Sequence, residues 1–140
     1  MAGFIGTPPM NFFEGSITRE NGGLVFNEGA FTIPIPKPWE NTLGAFTDKP
    51  IIYGARPEDV GSVQAEDVEG APRIRAKVDV VEPMGSETYC HLNTGSTTFI
   101  SRMDSHRKCQ VGDHMDLAVF LGKSHFFDPE SESTIDLPRD

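Results

Sequence analysis

The chain has 140 residues, 37 % of them hydrophobic, and 12 Lys and Arg against 21 Asp and Glu give a net charge of −9. That length suits one domain with its own core, and no apolar run reaches the roughly 18 residues a membrane helix needs. A net negative field repels nucleic acid and anionic lipid, because neutralising phosphates takes clustered Lys and Arg.

Residues 1–9 carry neither a basic stretch nor an apolar one, so a secretory leader is not expected. Segment 4–12 has room for a turn or two of helix. Residues 16–19 and 24–26 flank Glu20-Asn21-Gly22-Gly23, and Asn-Gly between apolar runs predicts a hairpin. A second turn at Asn27-Glu28-Gly29 leads into a strand over 30–33. It stops at Pro34-Ile35-Pro36-Lys37-Pro38, since proline donates no ladder hydrogen bond. A helical turn is expected over 40–46 and a short strand over 51–54, closed by Arg56-Pro57-Glu58-Asp59.

The clearest strand covers 73–81. Ile74, Ala76, Val78 and Val80 form its inward face, and Arg73, Arg75, Lys77 and Asp79 its wet one. Strands follow over 88–92, 97–101, 114–120 and 124–127, with turns at Asn93-Thr94-Gly95 and Val111-Gly112-Asp113. Many short strands with regular turns predict an all-β fold, best an antiparallel Greek-key barrel of the OB type. The turn-rich halves 14–56 and 72–127 each have the content of a small barrel, which makes two small intertwined barrels the variant of that architecture.

Candidate chemistry is sparse. Gly122-Lys123-Ser124 resembles the end of a phosphate-binding loop, but Leu117 occupies the first glycine position and His125-Phe126-Phe127-Asp128-Pro129 does not open a helix. A turn between strands is expected there. Cys90, His91, His106, Cys109 and His114 are metal-ligand types, yet Cys90 and His91 are adjacent on a strand and face opposite ways. No metal site is expected. Cys90 and Cys109 lack scaffold spacing and read as reduced thiols of a cytosolic protein. Ser86-Glu87 with His91 lacks a nucleophile elbow, so no catalytic residue is expected. Arg102, His106, Arg107 and Lys108 form a candidate anion patch beside Arg73, Arg75 and Lys77.

Five strings taken together resemble the C-terminal regulatory domain of ATP-binding subunits from carbohydrate-importing ABC transporters, the maltose and glycerol-3-phosphate importer type. They are the stretches 4–12, 54–59, 80–88, 111–113 and 125–129, in that order. The resemblance implies an OB-like TOBE barrel without catalysis, joined to an ATPase domain in one polypeptide. It divides the chain into a junction segment at 1–13, the TOBE domain at 14–128 and an acidic flexible tail at 129–140.

The resemblance also implies a homodimer, an indirect link to membrane permease subunits, a regulatory protein as a further partner, and a place at the cytoplasmic face of the membrane. ATP and magnesium are expected in the ATPase domain, none in this chain. Arg56, Glu58, Gly85, Ser86, Glu87 and Thr88 lie in the matching strings and are the candidate inter-domain or dimer contacts. The alternatives are a small-ligand or oxyanion-binding module and a stand-alone interaction barrel.

Overall fold

The Asn21-Gly22 pair folds as expected: φ is 51° at Asn21 and 81° at Gly22, the left-handed pair that a tight hairpin turn needs. It joins β1 (Asn11–Glu20) to β2 (Gly23–Asn27). The protein is described by a computed structural model covering residues 9–138. The possible helix at 4–12 lies partly outside the described residues. Within them, Asn11 and Phe12 are already strand.

β1 is shared between two neighbours. Its second half pairs β2, and its first half pairs β4 (Pro50–Ala55). β3 (Thr32–Pro34) extends one side and stops at its proline; β9 (His125–Phe127) extends the other. The resulting antiparallel sheet has the order β3-β2-β1-β4-β9. Between β3 and β4, α1 (Lys37–Leu43) buries Trp39 and Leu43, with proline in its first turn, where a missing N–H costs nothing. A 3-10 turn at Gly44–Phe46 completes the helical stretch predicted there.

The second sheet contains β5 (Arg73–Met84), β6 (Glu87–Asn93), β7 (Thr98–Asp104) and β8 (His114–Ala118), in the order β7-β6-β5-β8. Ile74, Ala76 and Val78 point inward as predicted. Val80 does not: the register shifts between Val78 and Val80, a bulge that turns Val80 outward and leaves it 47 % exposed. One extra residue reverses the inward set, which a strict period of two does not anticipate.

Aromatic rings fill the space inside and between the sheets. Phe13 lies 5.3 Å from Phe99 of the other sheet, and Phe126 is 5.2 Å from Tyr53 and 6.1 Å from Phe26, centroid to centroid. Polar side chains also cross. The Asn11 amide donates to the Ile100 carbonyl and accepts from its N–H, both at 2.8 Å. Glu28 accepts from Thr94 at 2.7 Å and Thr97 at 2.6 Å. Ser101 instead holds the connecting segment before α2 (Val63–Glu66), donating to the Val60 carbonyl at 2.5 Å.

Two expectations need correction. Residues 129–138 do not simply trail into solvent: Ile135 N–H donates to the Phe126 carbonyl at 2.8 Å, Trp39 Nε1 donates to Pro138 O at 3.0 Å, and Ile135 and Leu137 pack on the core. The two apolar side chains hold the backbone while the acidic ones stay wet. Cys90 and Cys109 are joined by a disulfide rather than being two thiols. The chain following β7 returns over the second sheet and brings Cys109 to the buried Cys90, a proximity that linear spacing does not encode. Among the described residues, no helix is long and apolar enough to cross a membrane.

Candidate functional site

Four local structures wall a cleft of about 550 Å³. The turn between β5 and β6 supplies Ser86 and, at the first position of β6, Glu87. Gly85 sits in that turn with φ +79° and open space where a Cβ would be. The end of β7 supplies Arg102 and Asp104. A 3-10 turn at Pro57–Asp59, anchored by buried Pro57, presents Glu58. The fourth wall is α2 (Val63–Glu66), whose N-cap Ser62 accepts from Ala65 N–H at 3.3 Å.

Of the candidate contact residues, the structure therefore brings Glu58, Ser86 and Glu87 into one cleft. Arg56 is exposed immediately before the 3-10 turn, and Gly85 lies in the turn that carries Ser86. Thr88 is a correction: it is buried because strand alternation directs Glu87 outward and the next side chain inward.

The proposed anion patch does not converge. Arg102 Nε donates to Glu87 Oε2 at 2.7 Å, and that carboxylate holds the guanidinium protonated even more firmly than usual. Arg107 Nη1 turns away, donating to the Gly61 carbonyl at 3.1 Å and to Glu66 Oε2 at 3.0 Å. His106 and Lys108 are exposed on the intervening loop. On the wet face of β5, Arg73 pairs with Glu66 and Arg75 with Asp116.

Glu66 is the residue that sequence reasoning missed. One carboxylate accepts from Arg107, from Arg73 Nη2 at 3.0 Å, and from Ala118 N–H at 3.0 Å. Burial pushes its carboxyl up, but the Ala118 N–H and the Arg107 guanidinium outweigh that, so the net shift is downward. It ties α2 to β5, β8 and the loop after β7, which fixes one wall of the cleft. Nearby Asp59 is shifted upward, first by burial and then by the charge of Glu58.

Gly122-Lys123-Ser124 forms the turn expected of it. A 3-10 turn at Leu121–Lys123 leads into β9, and Ser124 Oγ is 2.7 Å from the Tyr53 hydroxyl. His91 points away from Cys90 and lies 2.5 Å from Glu82. Among the described residues, no three His, Cys, Asp or Glu side chains group as ion ligands. The cleft offers carboxylates, a guanidinium and hydroxyls, groups suited to ion pairs and hydrogen bonds.

Comparisons with known proteins match this architecture. The model of the MalK OB fold domain matches residues 6–60, and that of the TOBE domain matches residues 53–127. The oligosaccharides import ATP-binding protein MsmX of Bacillus subtilis is 35 % identical over 96 % of this chain and 37 % of its own length. The multiple sugar-binding transport ATP-binding protein MsmK of Streptococcus mutans is 37 % identical over 96 % of this chain and 36 % of its own length. The trehalose/maltose import ATP-binding protein MalK of Thermococcus litoralis is 34 % identical, with 96 % and 37 % covered. The chain thus spans little more than a third of the length of these relatives. Among solved structures, the cytoplasmic molybdate-binding protein ModG superposes with a TM-score of 0.61 at 11 % identity, covering 83 % of this chain and 94 % of that one. That likeness is one of fold, and the OB-type β architecture expected from the turn pattern is the one found. With a TOBE model matched over more than half its residues, the chain belongs to the TOBE domain family.

Proposed function

We propose that this chain is the non-catalytic regulatory and dimerisation domain of the ATP-binding subunit of an ABC importer for a carbohydrate or glycerol-3-phosphate. The observation that carries the reading is the pair of matches in sequence order, an OB domain at 6–60 and a TOBE domain at 53–127, shared with relatives named for sugar import. In this reading the ATPase domain occupies the part of the relatives that this chain does not span. ATP and magnesium act there, and the membrane permease is reached through it at the cytoplasmic face.

The domain's work is mechanical. A rigid barrel with a self-complementary patch makes an isologous two-fold contact. Such a contact keeps two ATPase domains at high effective concentration while their nucleotide sites open and close. The cleft residues Glu58, Ser86 and Glu87, with Arg56 and Gly85 beside them, are the contact surface this reading assigns.

The test begins with the coding frame upstream of the Met1 codon. The expected result is a continuous frame carrying G-x-x-x-x-G-K-[ST] between a strand and a helix. A start site and ribosome-binding site at Met1 overturn the transporter reading. Light scattering on Arg56→Ala and Glu87→Ala then tests the dimer contact; unchanged mass and dimer affinity in both variants overturn it.

A further inference from the structure

The two ends of the disulfide differ in access. Cys90 is fully buried on the inner face of β6, whereas Cys109 is half-buried in the segment 105–113 that joins β7 to β8. Backbone bonds tie that segment at both ends. Ser105 N–H donates to Ser86 O and Arg107 N–H to Asp104 O, while Gly112 N–H donates to Val78 O and Asp113 O accepts from Val78 N–H. The middle is different. Among the described residues, no backbone hydrogen bond reaches Lys108 or Cys109, so the bond to Cys90 and the packing of Cys109 on the core fasten it.

The same bond adjoins the cleft. Cys90 Sγ lies 3.8 Å from Met103 Sδ, and Met103 lines the cleft from β7. Arg107, two residues before Cys109, is the loop's partner for Glu66 at the end of α2. At the cytoplasmic face a disulfide meets reducing thiols, and disulfides that occur there are mostly transient or redox-sensing. We infer that Cys90–Cys109 is a thiol–disulfide switch. Oxidised, it keeps 105–113 closed and the cleft braced through Met103 and Arg107; reduced, it frees the middle of the loop and loosens α2 while both sheets stay folded. The reductant is a dithiol. One of its thiolates attacks Cys109 Sγ, the more accessible end, forming a mixed disulfide and expelling Cys90, which takes up a proton. The second thiol attacks the reductant's own sulfur in that mixed disulfide, closing a cyclic disulfide and expelling Cys109, which is protonated in turn. Two electrons and two protons pass to the protein, and an oxidised dithiol reverses the exchange. The switch rests on the cytoplasmic reading above for its reductant, and on the contact-surface reading for what the cleft does.

Dithiothreitol added to the folded chain, without denaturant, tests it, with hydrogen exchange and iodoacetamide labelling read by mass spectrometry. Both thiols are expected to be released while β1, β5 and β6 keep their protection. Amides of 107–111 should exchange at least about tenfold faster than in the oxidised chain, and those of Glu66 and Asp67 at least about threefold faster. Cys109 should be alkylated at least about tenfold faster than Cys90, which stays inside the sheet. Oxidised dithiothreitol should restore the slow exchange. A bond that survives dithiothreitol until urea unfolds the chain is a structural staple and overturns the proposal. Unchanged exchange in the loop or in α2 after reduction overturns it as well, and so does equal labelling of the two cysteines. Cys109→Ser should show the open-loop exchange with and without reductant. Since the main comparison uses the unaltered chain, a variant that fails to fold does not cloud it. Arg56→Ala and Glu87→Ala decide the contact surface without any change of redox state, so failure of that reading is told apart from failure of the switch.

Discussion

Replacing Glu66 by alanine removes three contacts at once, and their surroundings set the size of the loss. Ala118 is fully buried, so its N–H is left without an acceptor, at about 1–3 kcal/mol. Arg107 keeps the Gly61 carbonyl but loses its carboxylate, which adds about 1 kcal/mol. The Arg73 side chain is 49 % exposed, and its ion pair contributes about 0–1 kcal/mol. Glu66→Ala is therefore expected to cost about 2–5 kcal/mol in urea unfolding, as a lower midpoint with an unchanged slope. Glu66→Gln retains an amide oxygen for the Ala118 N–H and should lose about half as much. The carboxyl lies below its ordinary value of 4.5 in the folded chain, so its stabilisation is complete above that value and fades as pH falls through the lower, folded one. The gap between the parent and Glu66→Ala should hold from pH 7 to about pH 5 and narrow only in stronger acid. An alanine variant within about 0.5 kcal/mol of the parent, or a gap that closes before pH 5, would refute the account of Glu66 as an anchored hub.

Three other outcomes follow from the packing. Asn11→Ala strands both backbone groups of half-buried Ile100 and should cost about 1–3 kcal/mol by urea unfolding. Thiol titration of the denatured, unreduced chain should find no free thiol, reductant should release both, and reduction should lower stability by about 2–4 kcal/mol. Two thiols titrating without reductant would instead restore the reduced reading. Burial raises the Tyr53 phenol far above its ordinary value, the Ser124 bond opposing only in part, so its ionisation should coincide with alkaline unfolding. In the parent, tyrosinate absorbance and circular dichroism should change together, and Tyr53→Phe should move the circular-dichroism transition to higher pH.

Local signals were legible in the sequence and distant ones were not. The Asn21-Gly22 hairpin, the stop at Pro34 and the inward set Ile74, Ala76 and Val78 depend on a few adjacent residues, and they appear as read. Val80 was misplaced because a bulge is a choice made by the pair of strands, not by either one. The cleft was half visible. Glu58, Ser86 and Glu87 stood out in turn-forming strings, whereas Arg102 was grouped with Arg107 by proximity in sequence. The structure instead pairs Arg102 across the strands with Glu87, and Arg107 with Glu66, 41 residues away. The same blindness to distant pairing hid the Cys90–Cys109 bond and the return of Ile135 to the first sheet.

Three side-chain anchors outside the strand ladder, two of them crossing between the sheets, make the pairing of β6 with β7 a digital choice. Asn11 grips Ile100, Ser101 grips Val60, and Glu28 grips the Thr94–Thr97 turn. A slip of β7 by one residue presents Phe99 or Ser101 to Asn11, withdraws the Ser101 hydroxyl from Val60, and sends Phe99 from the core to water. Every error is thus counted several times, by partners up to 89 residues apart in the chain. Closed sheets are therefore compatible with one alignment of the hairpin alone, and any other leaves several buried polar groups unpaired at once.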